Sequence, residues 1–165
     1  MRRSGVERLV VVLVLCACMP YGFAGGGLPA HIRTVAVLPF DNETADPSLQ
    51  RELLDRMKRE VESRLGLRTA SESNAHAIVR GRVVRYDVDI PIAYSADPDR
   101  STTARRKLQI TLDVEIVDQT TGRTLWVNRN LTAEGEYSER AEASGRRQAV
   151  EKLVNDIIDG AQSQW

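Results

Sequence analysis

Alternation of hydrophobic and polar residues predicts four strands in this chain. Residues 32–38 are nearly all apolar and β-branched, which is typical of a strand covered on both faces. Residues 77–90, 107–117 and 123–137 alternate between apolar and polar positions, which is typical of antiparallel strands with one face in water. Within 77–90 the alternation changes phase at Val83-Val84, and this predicts a β-bulge.

Two segments have helical spacing instead. The first begins at Asp46-Pro47, with Asp as N-cap and Pro at the first helical position, and runs to about Leu65. The last helix is expected from about Arg140 to Gln162. The resulting order is β-α-β-β-β-α. A sheet with one face exposed to solvent and only two helices predicts an α+β fold, with two helices packed on one face of a four-stranded mixed sheet.

The alternation in the fourth predicted strand assigns a face to Trp126. Leu125, Val127, Leu131 and Ala133 share one phase of the alternation. The sequence therefore predicts that Trp126 lies on the opposite face of the sheet.

The N-terminus carries the pattern of a bacterial lipoprotein signal. Arg2 and Arg3 precede the apolar run LVVVLVL at 9–15, which is too short for a membrane span. Leu15-Cys16-Ala17-Cys18 then fits a lipobox, in which Cys18 receives the lipid. Ordinary cleavage after Ala24 is the alternative.

These features divide the chain into three parts. Residues 1–17 are the predicted signal peptide. Residues 18–30 are the lipidated Cys and a Gly- and Pro-rich linker, and residues 31–165 form one domain. Met19 follows the lipidated Cys, and the absence of Asp there favours the outer membrane, with the domain on its periplasmic side.

Composition and charge exclude several classes of function. The 165 residues carry no net charge and only 5% aromatic residues, which argues against a nucleic-acid binder. Two His without spaced partners do not predict a metal site, and no phosphate loop or serine-nucleophile elbow is present. The sequence therefore predicts a protein that is not an enzyme and has no cofactor apart from its covalent lipid.

Positive charge is concentrated where the second and third long strands meet. The polar loop 91–106 ends in a group of cations: Arg100, Arg105, Arg106 and Lys107. Such a group favours an anion-binding site at a hairpin tip. A solvated hairpin tip without a ligand is the alternative.

Five short motifs in order resemble the LPS-assembly lipoprotein family, LptE. They are Cys18 to Phe23 (CMPYGF), Leu28 to Ile32 (LPAHI), Pro39 to Thr44 (PFDNET), Ala75 to Gly81 (AHAIVRG) and Asp118 to Trp126 (DQTTGRTLW). Together they extend over the whole chain after Cys18. Cys16 and Pro20 depart from the usual start of the family.

The resemblance implies a partner and a ligand. The family's lipoprotein lies inside a large outer-membrane β-barrel, LptD, helps that barrel to assemble, and binds lipopolysaccharide (LPS) on its way to the outer leaflet. The motif match assigns one functional residue, the lipidated Cys18. By location only, the resemblance points to Arg100, Arg105, Arg106, Lys107 and Arg140 as LPS-binding residues.

Two other interpretations remain open from the sequence. The segment Val35 to Asn42 (VAVLPFDN) also resembles periplasmic lipoproteins of the curli-secretion and peptidoglycan-synthase-activator types. A structural surface lipoprotein is the second alternative. The Leu28-Pro29-x-His31-Ile32 motif favours LptE over the curli type.

Overall fold

The computed structural model of the protein describes residues 28–91, 105–138 and 141–163. The described elements, in chain order, are β1 (Thr34–Val37), β2 (Asp41–Asn42), α1 (Ser48–Ser63), β3 (Arg68–Thr69), a 3-10 turn (Glu72–Asn74), β4 (Ala77–Pro91), β5 (Arg105–Asp118), β6 (Thr124–Ser138) and α2 (Glu142–Ser163).

All six strands belong to one mixed sheet. Its order is β3-β1-β4-β5-β6, and β2 lies beside β4. The pairs of β1 with β3, β1 with β4 and β2 with β4 are parallel, whereas β4, β5 and β6 form a long antiparallel meander. The prediction of an α+β fold with two helices against a mixed sheet is confirmed.

The predicted strand number and order are wrong. The sheet has six strands instead of four, and the order is β-β-α-β-β-β-β-α. The two additional strands, β2 and β3, have two residues each. A strand of two residues cannot show an alternating pattern, and these two form because the neighbouring strands offer free backbone groups.

The pairing of β4, β5 and β6 has four register shifts, and two of them bear on the predicted alternation. The register of β4 against β5 shifts between Val83 and Arg85, where the change of phase predicted it. A second shift, in the pairing of β5 with β6 between Leu112 and Val114, inserts an extra residue in β6 near Asn130, whose φ is +58°. The alternation in β6 therefore changes phase, which the sequence analysis did not anticipate.

The position predicted for Trp126 is consequently wrong. Trp126 lies opposite Ile116, on the helix-covered face, and is only 6% exposed. Val127 lies on the other face and is 47% exposed. The bulge brings Trp126 onto the same face as Leu131 and Ala133, although they differ in sequence phase.

Helix α1 packs through one stripe of side chains. Leu49, Leu53, Met57 and Val61 are buried at helical spacing. At the start of the helix, Asp46 Oδ1 accepts a hydrogen bond of 2.8 Å from the backbone N–H of Ser48, so the carboxylate satisfies one of the unpaired donors of the first turn. The helix is one or two residues shorter at each end than predicted, within the ordinary fraying of helix termini.

Helices α1 and α2 run parallel to each other. Arg146, near the start of α2, contacts Glu52 near the start of α1. Arg64, directly after α1, contacts Asp159 near the end of α2. Both helices therefore begin at the end of the sheet where β4 and β5 form a hairpin. We call this the tip end. The opposite end, where β1, β4 and β6 begin and β5 ends, is the basal end.

Helix α2 lies unusually close to β6 at two glycines. A Cβ on Gly135 of β6 would overlap the backbone carbonyl of Gly145 in α2. A Cβ on Gly160, near the end of α2, would lie 2.6 Å from the ring of Trp126. The absence of side chains at these positions permits a close approach that buries the whole apolar stripe of α2.

Replacing Gly135 by Ala tests this approach. The new methyl group would meet helix backbone, which cannot rotate away, so we expect Gly135→Ala to lower the free energy of unfolding by roughly 1–3 kcal/mol. Urea denaturation measures the change. The matched variant Gly160→Ala should lose less, because a Trp ring can move and because Ala favours a helix by about 1 kcal/mol over Gly. Equal stability of Gly135→Ala and the parent protein would contradict the packing described.

Candidate functional site

The residues predicted to bind LPS are only partly described by the structure. Cys18, Arg100 and Arg140 lie outside the described residues. Arg105 begins β5, and Arg106 and Lys107 follow it. In the sheet, Arg106 pairs with Pro91 of β4 and with Tyr137 of β6, so these cations lie at the base of the predicted hairpin tip.

Arg106 has an acidic partner across the hairpin. Its Nη1 lies 2.8 Å from Oδ1 of Asp89, a residue with φ of +59° where the register of β4 shifts. The buried Tyr137 holds Asp89 twice: its hydroxyl donates to Oδ1 at 2.8 Å and accepts the backbone N–H at 3.0 Å. These contacts stabilise a left-handed conformation that non-glycine residues rarely adopt.

The contacts among Arg106, Asp89 and Tyr137 shift the pKa values of Asp89 and Tyr137. The hydrogen bond from Arg106, followed by that from Tyr137, lowers the pKa of Asp89. Burial and the contact with Asp89 raise the pKa of Tyr137. Asp89 is therefore ionised and Tyr137 protonated at neutral pH.

Lys107 is also paired. Its Nζ lies 2.8 Å from Oε1 of Glu134 on β6. Both pairs are partly exposed to solvent, and pairs of this kind contribute little to stability. Arg106 and Lys107 of the predicted cation group are thus each paired with a carboxylate, and their role in ligand binding stays a prediction.

A second polar cluster, which the sequence analysis missed, lies between the two helices and the sheet close to the tip end. Arg146 of α2 binds Glu52 at 2.9 Å and Asp46 at 3.0 Å, and these contacts connect it to the start of α1. Tyr86 of β4 donates a hydrogen bond of 2.6 Å to Glu142, in the first turn of α2. Burial and this bond raise the pKa of Tyr86 well above its ordinary value.

The sequence held little sign of this cluster. Glu52 and Arg146 lie on charged stretches that are typical of solvated helix surfaces, and their partners are about a hundred residues away along the chain. The guanidinium of Arg146 connects the start of α2 to the start of α1, so the cluster stabilises the two helices where both begin.

The face of the sheet that carries no helix is polar and charged. Arg82 of β4 lies 3.0 Å from Asp113 of β5 and 3.3 Å from Glu43, and Arg80 pairs with Glu115. Thr111 and Thr132 share a hydrogen bond of 3.2 Å farther toward the tip. We call this surface the open face. Its ion pairs connect side chains on neighbouring strands, so this surface is polar and can face water.

At the basal end, two of the sequence motifs meet in space. His31 belongs to the motif from Leu28 to Ile32, and Asp118 begins the last motif. His31 Nε2 donates to Oδ2 of Asp118 at 2.8 Å. Asp118 is only 2% exposed, and it also accepts hydrogen bonds from the backbone of Thr120 and from the hydroxyl of Thr121. The group lies beside a groove of about 260 Å³ lined by Pro29, Arg123 and Leu125.

Asp118 is a buried anion with a full set of donors. Burial acts to raise its pKa, but the hydrogen bonds from Thr121, His31 and the backbone outweigh it and hold the pKa well below its ordinary value. This interaction fixes the segment from Pro29 to Ile32 against the turn between β5 and β6. The sequence pointed to both residues only as members of separate motifs.

Within residues 28–91, 105–138 and 141–163, no group of three or more His, Cys, Asp or Glu is placed to hold a metal ion. Neither described helix is long and apolar enough to cross a membrane.

One protein family matches the chain. The model of the family LptE, described as lipopolysaccharide-assembly, matches residues 32–159. Among curated protein sequences, none matches significantly.

Several solved structures share the fold at low sequence identity. Protein XCC0632 from Xanthomonas campestris is 13% identical with a TM-score of 0.56, and the match covers 83% of this chain and 89% of that chain. The PelC dodecamer from Paraburkholderia phytofirmans is 18% identical with a TM-score of 0.52, covering 84% and 95%. The hypothetical protein CT253 from Chlamydia trachomatis is 11% identical with a TM-score of 0.53, covering 79% and 96%. At these identities the likeness shows the fold alone.

The buried Asp118 gives a testable dependence on pH. Because its pKa is lower in the folded than in the unfolded protein, its stabilising contribution is complete above about pH 4 and is lost as the pH falls below that value. We expect Asp118→Asn to lower the free energy of unfolding by about 1.5–3 kcal/mol at pH 7, since charged hydrogen bonds are lost. Urea denaturation between pH 7 and pH 3 should show this deficit shrinking in acid. The exposed Asp156, changed to Asn, is the control; a deficit independent of pH would contradict the assignment.

Proposed function

The chain belongs to the lipopolysaccharide-assembly family LptE, whose model matches most of its length, and from this premise we propose that it assembles with and plugs an LptD-type β-barrel in the outer membrane. We further propose that it binds LPS during delivery to the outer leaflet. The family match is the observation that carries the proposal. Membership supports an LPS-assembly lipoprotein that is not an enzyme.

The open face supports the role of a plug. A domain that occupies the lumen of a barrel contacts a polar wall and water, and it needs a surface without a large apolar patch. The large hydrophobic side chains exposed among the described residues are Val88 and Val127. The ion pairs of Arg80 and Arg82 across β4 and β5 make the rest of this surface polar.

The tip end supports the binding of an anionic lipid. Lipid A carries phosphates, and Arg recognises phosphate through paired hydrogen bonds. Arg105, Arg106 and Lys107 follow one another at the start of β5. Arg100 precedes Arg105 by five positions, and Arg140 follows Ser138, the strand partner of Arg105, by two. A phosphate would replace Asp89 as the partner of Arg106, and that exposed contact is cheap to break.

The chain that leads from the proposed anchor enters the domain at the basal end. Cys18 precedes the first described residue, Leu28, by ten positions, and the chain from Leu28 enters at the basal end beside Asp118. Strand β5, with 14 residues, extends from the basal end to the tip end over about 45 Å. The chain that follows the proposed anchor therefore enters the domain at the end of the sheet opposite to Arg106 and Lys107.

LPS binding tests the tip end directly. We expect Arg105→Glu with Arg106→Glu to weaken the binding of purified LPS by tenfold or more at moderate salt, about the effect of losing one to two charged hydrogen bonds. Fluorescence titration with labelled LPS measures it. The matched control is Arg51→Glu with Lys58→Glu, two exposed cations of α1. Unchanged affinity in a variant that keeps the parent unfolding midpoint would contradict the site.

Crosslinking in cells tests the barrel partner. A photoreactive amino acid at Val88, which is 40% exposed near the tip end, should trap a large outer-membrane protein, because the plug would face the barrel wall there. Mass spectrometry identifies the trapped protein. The same probe in a Cys18→Ser background should trap less of it, since the lipid anchor is then lost. Recovery of soluble periplasmic proteins alone would contradict the proposal.

A further inference from the structure

The basal end of the sheet carries a row of exposed arginines. Arg68 begins β3, Arg33 directly precedes β1, and Arg123 directly precedes β6. Backbone bonds hold the row in place: Arg68 N–H donates to Arg33 O at 3.2 Å, and Asp118 N–H donates to Arg123 O at 2.8 Å. Because β3 and β6 are the outermost strands of the order β3-β1-β4-β5-β6, the row extends over four strand spacings, about 19 Å.

Arg33, Arg68 and Arg123 have no ion-pair partner among the described residues, in contrast to Arg80 and Arg82 of the open face. Two exposed acids, Glu62 and Glu72, lie near the β3 side, but Glu62 accepts the hydroxyl of Thr69. The other acids of this end are engaged, Asp118 with His31 and Asp159 with Arg64. The guanidinium groups are thus available to an external anion.

The position of the row relative to the proposed anchor indicates which anion the row would bind. Arg123 lines the same groove as Pro29 and His31, so it lies beside the segment through which the chain enters the domain. The ten Cα–Cα steps from Cys18 to Leu28 reach at most about 35 Å. A lipid on Cys18 would therefore keep the row within a short distance of the headgroups of the leaflet that holds it.

We propose that this basal row, Arg33, Arg68 and Arg123, docks on anionic phospholipid headgroups around the lipid anchor. The inference rests on the proposed lipidation of Cys18. Headgroup phosphates match the hydrogen-bonding geometry of guanidinium groups. Because the anchor holds the domain at the membrane, the effective concentration of headgroups near the row is high, and individually weak ion contacts then suffice for binding. The docked row holds the basal end at the headgroup level and leaves the tip end as the part of the domain farthest from those headgroups.

The first experiment measures the surface without the anchor. Full-length Cys18→Ser protein is mixed with vesicles of phosphatidylethanolamine, with or without added phosphatidylglycerol, and the bound fraction is measured by sedimentation. We expect binding only with phosphatidylglycerol, and a loss of tenfold or more when Arg33, Arg68 and Arg123 are all changed to Gln. Changing Arg51, Lys58 and Arg147, three exposed cations of the helices, to Gln should have much less effect. Unfolding midpoints confirm that both triple variants fold.

Three results would overturn the proposal. The first is binding that is unchanged by the Arg33, Arg68 and Arg123 substitutions. The second is an equal loss in both triple variants, which would indicate a diffuse attraction instead of a docking row. The third is release of the protein by inorganic phosphate but not by chloride at equal ionic strength, which would indicate a site for a free anion.

A second experiment separates this inference from the proposed anchor. Mass spectrometry of the mature N-terminus determines whether Cys18 carries lipid, independently of vesicle binding. In lipidated protein on vesicles, a fluorescent probe at the exposed Thr120, next to the row, should be quenched by headgroup-level quenchers, and the triple Gln variant should reduce that quenching severalfold. An unlipidated N-terminus would contradict the anchor, whereas a lipidated protein with equal quenching in both forms would contradict only the docking row.

Discussion

The close approach of α2 to β6 at Gly135 and Gly145 is the constraint on which the other features of the fold depend. Because neither glycine has a side chain, the helix lies against the strand and buries its apolar stripe from Ala149 to Ala161. This contact assigns both helices to one face and leaves the other face to water. It also places the start of α2 where Arg146 reaches Glu52 and Asp46, so helix alignment follows from the same approach.

Electrostatic interactions then distinguish the two ends of the sheet. At the tip end, exposed cations share carboxylates that an anionic ligand can replace, as Arg106 does with Asp89. At the basal end, the buried Asp118 holds the entering chain through His31, and three arginines nearby lack acidic partners among the described residues. A lipid anchor at one end and an LPS site at the other would use these two environments for different purposes. The physical difference is that the cation Arg106 at the tip end already has a carboxylate partner within the domain, whereas the three arginines at the basal end have none among the described residues.

Some of the fold could be predicted because its signal is local. The alternation in β4 and β5 and the helical stripe from Leu49 to Val61 depend only on neighbouring residues, so the sequence predicts these two strands and this helix correctly. The strands β2 and β3 could not be predicted, because two residues show no period. Trp126 was assigned to the wrong face, since the bulge near Asn130 depends on the pairing of β6 with β5 and not on the sequence of β6 alone.

By itself, the sequence determined the class of the protein. Its lipobox, its α+β pattern and its ordered motifs already indicated an LPS-assembly lipoprotein, and the family match agrees. Only the tertiary structure decided which residues of these motifs contact one another. His31 and Asp118 are 87 positions apart in the chain, and the row from Arg68 to Arg123 exists only because β3 and β6 are opposite edges of one sheet. Such contacts depend on chain topology, which brings distant residues together and which no local pattern of side chains encodes.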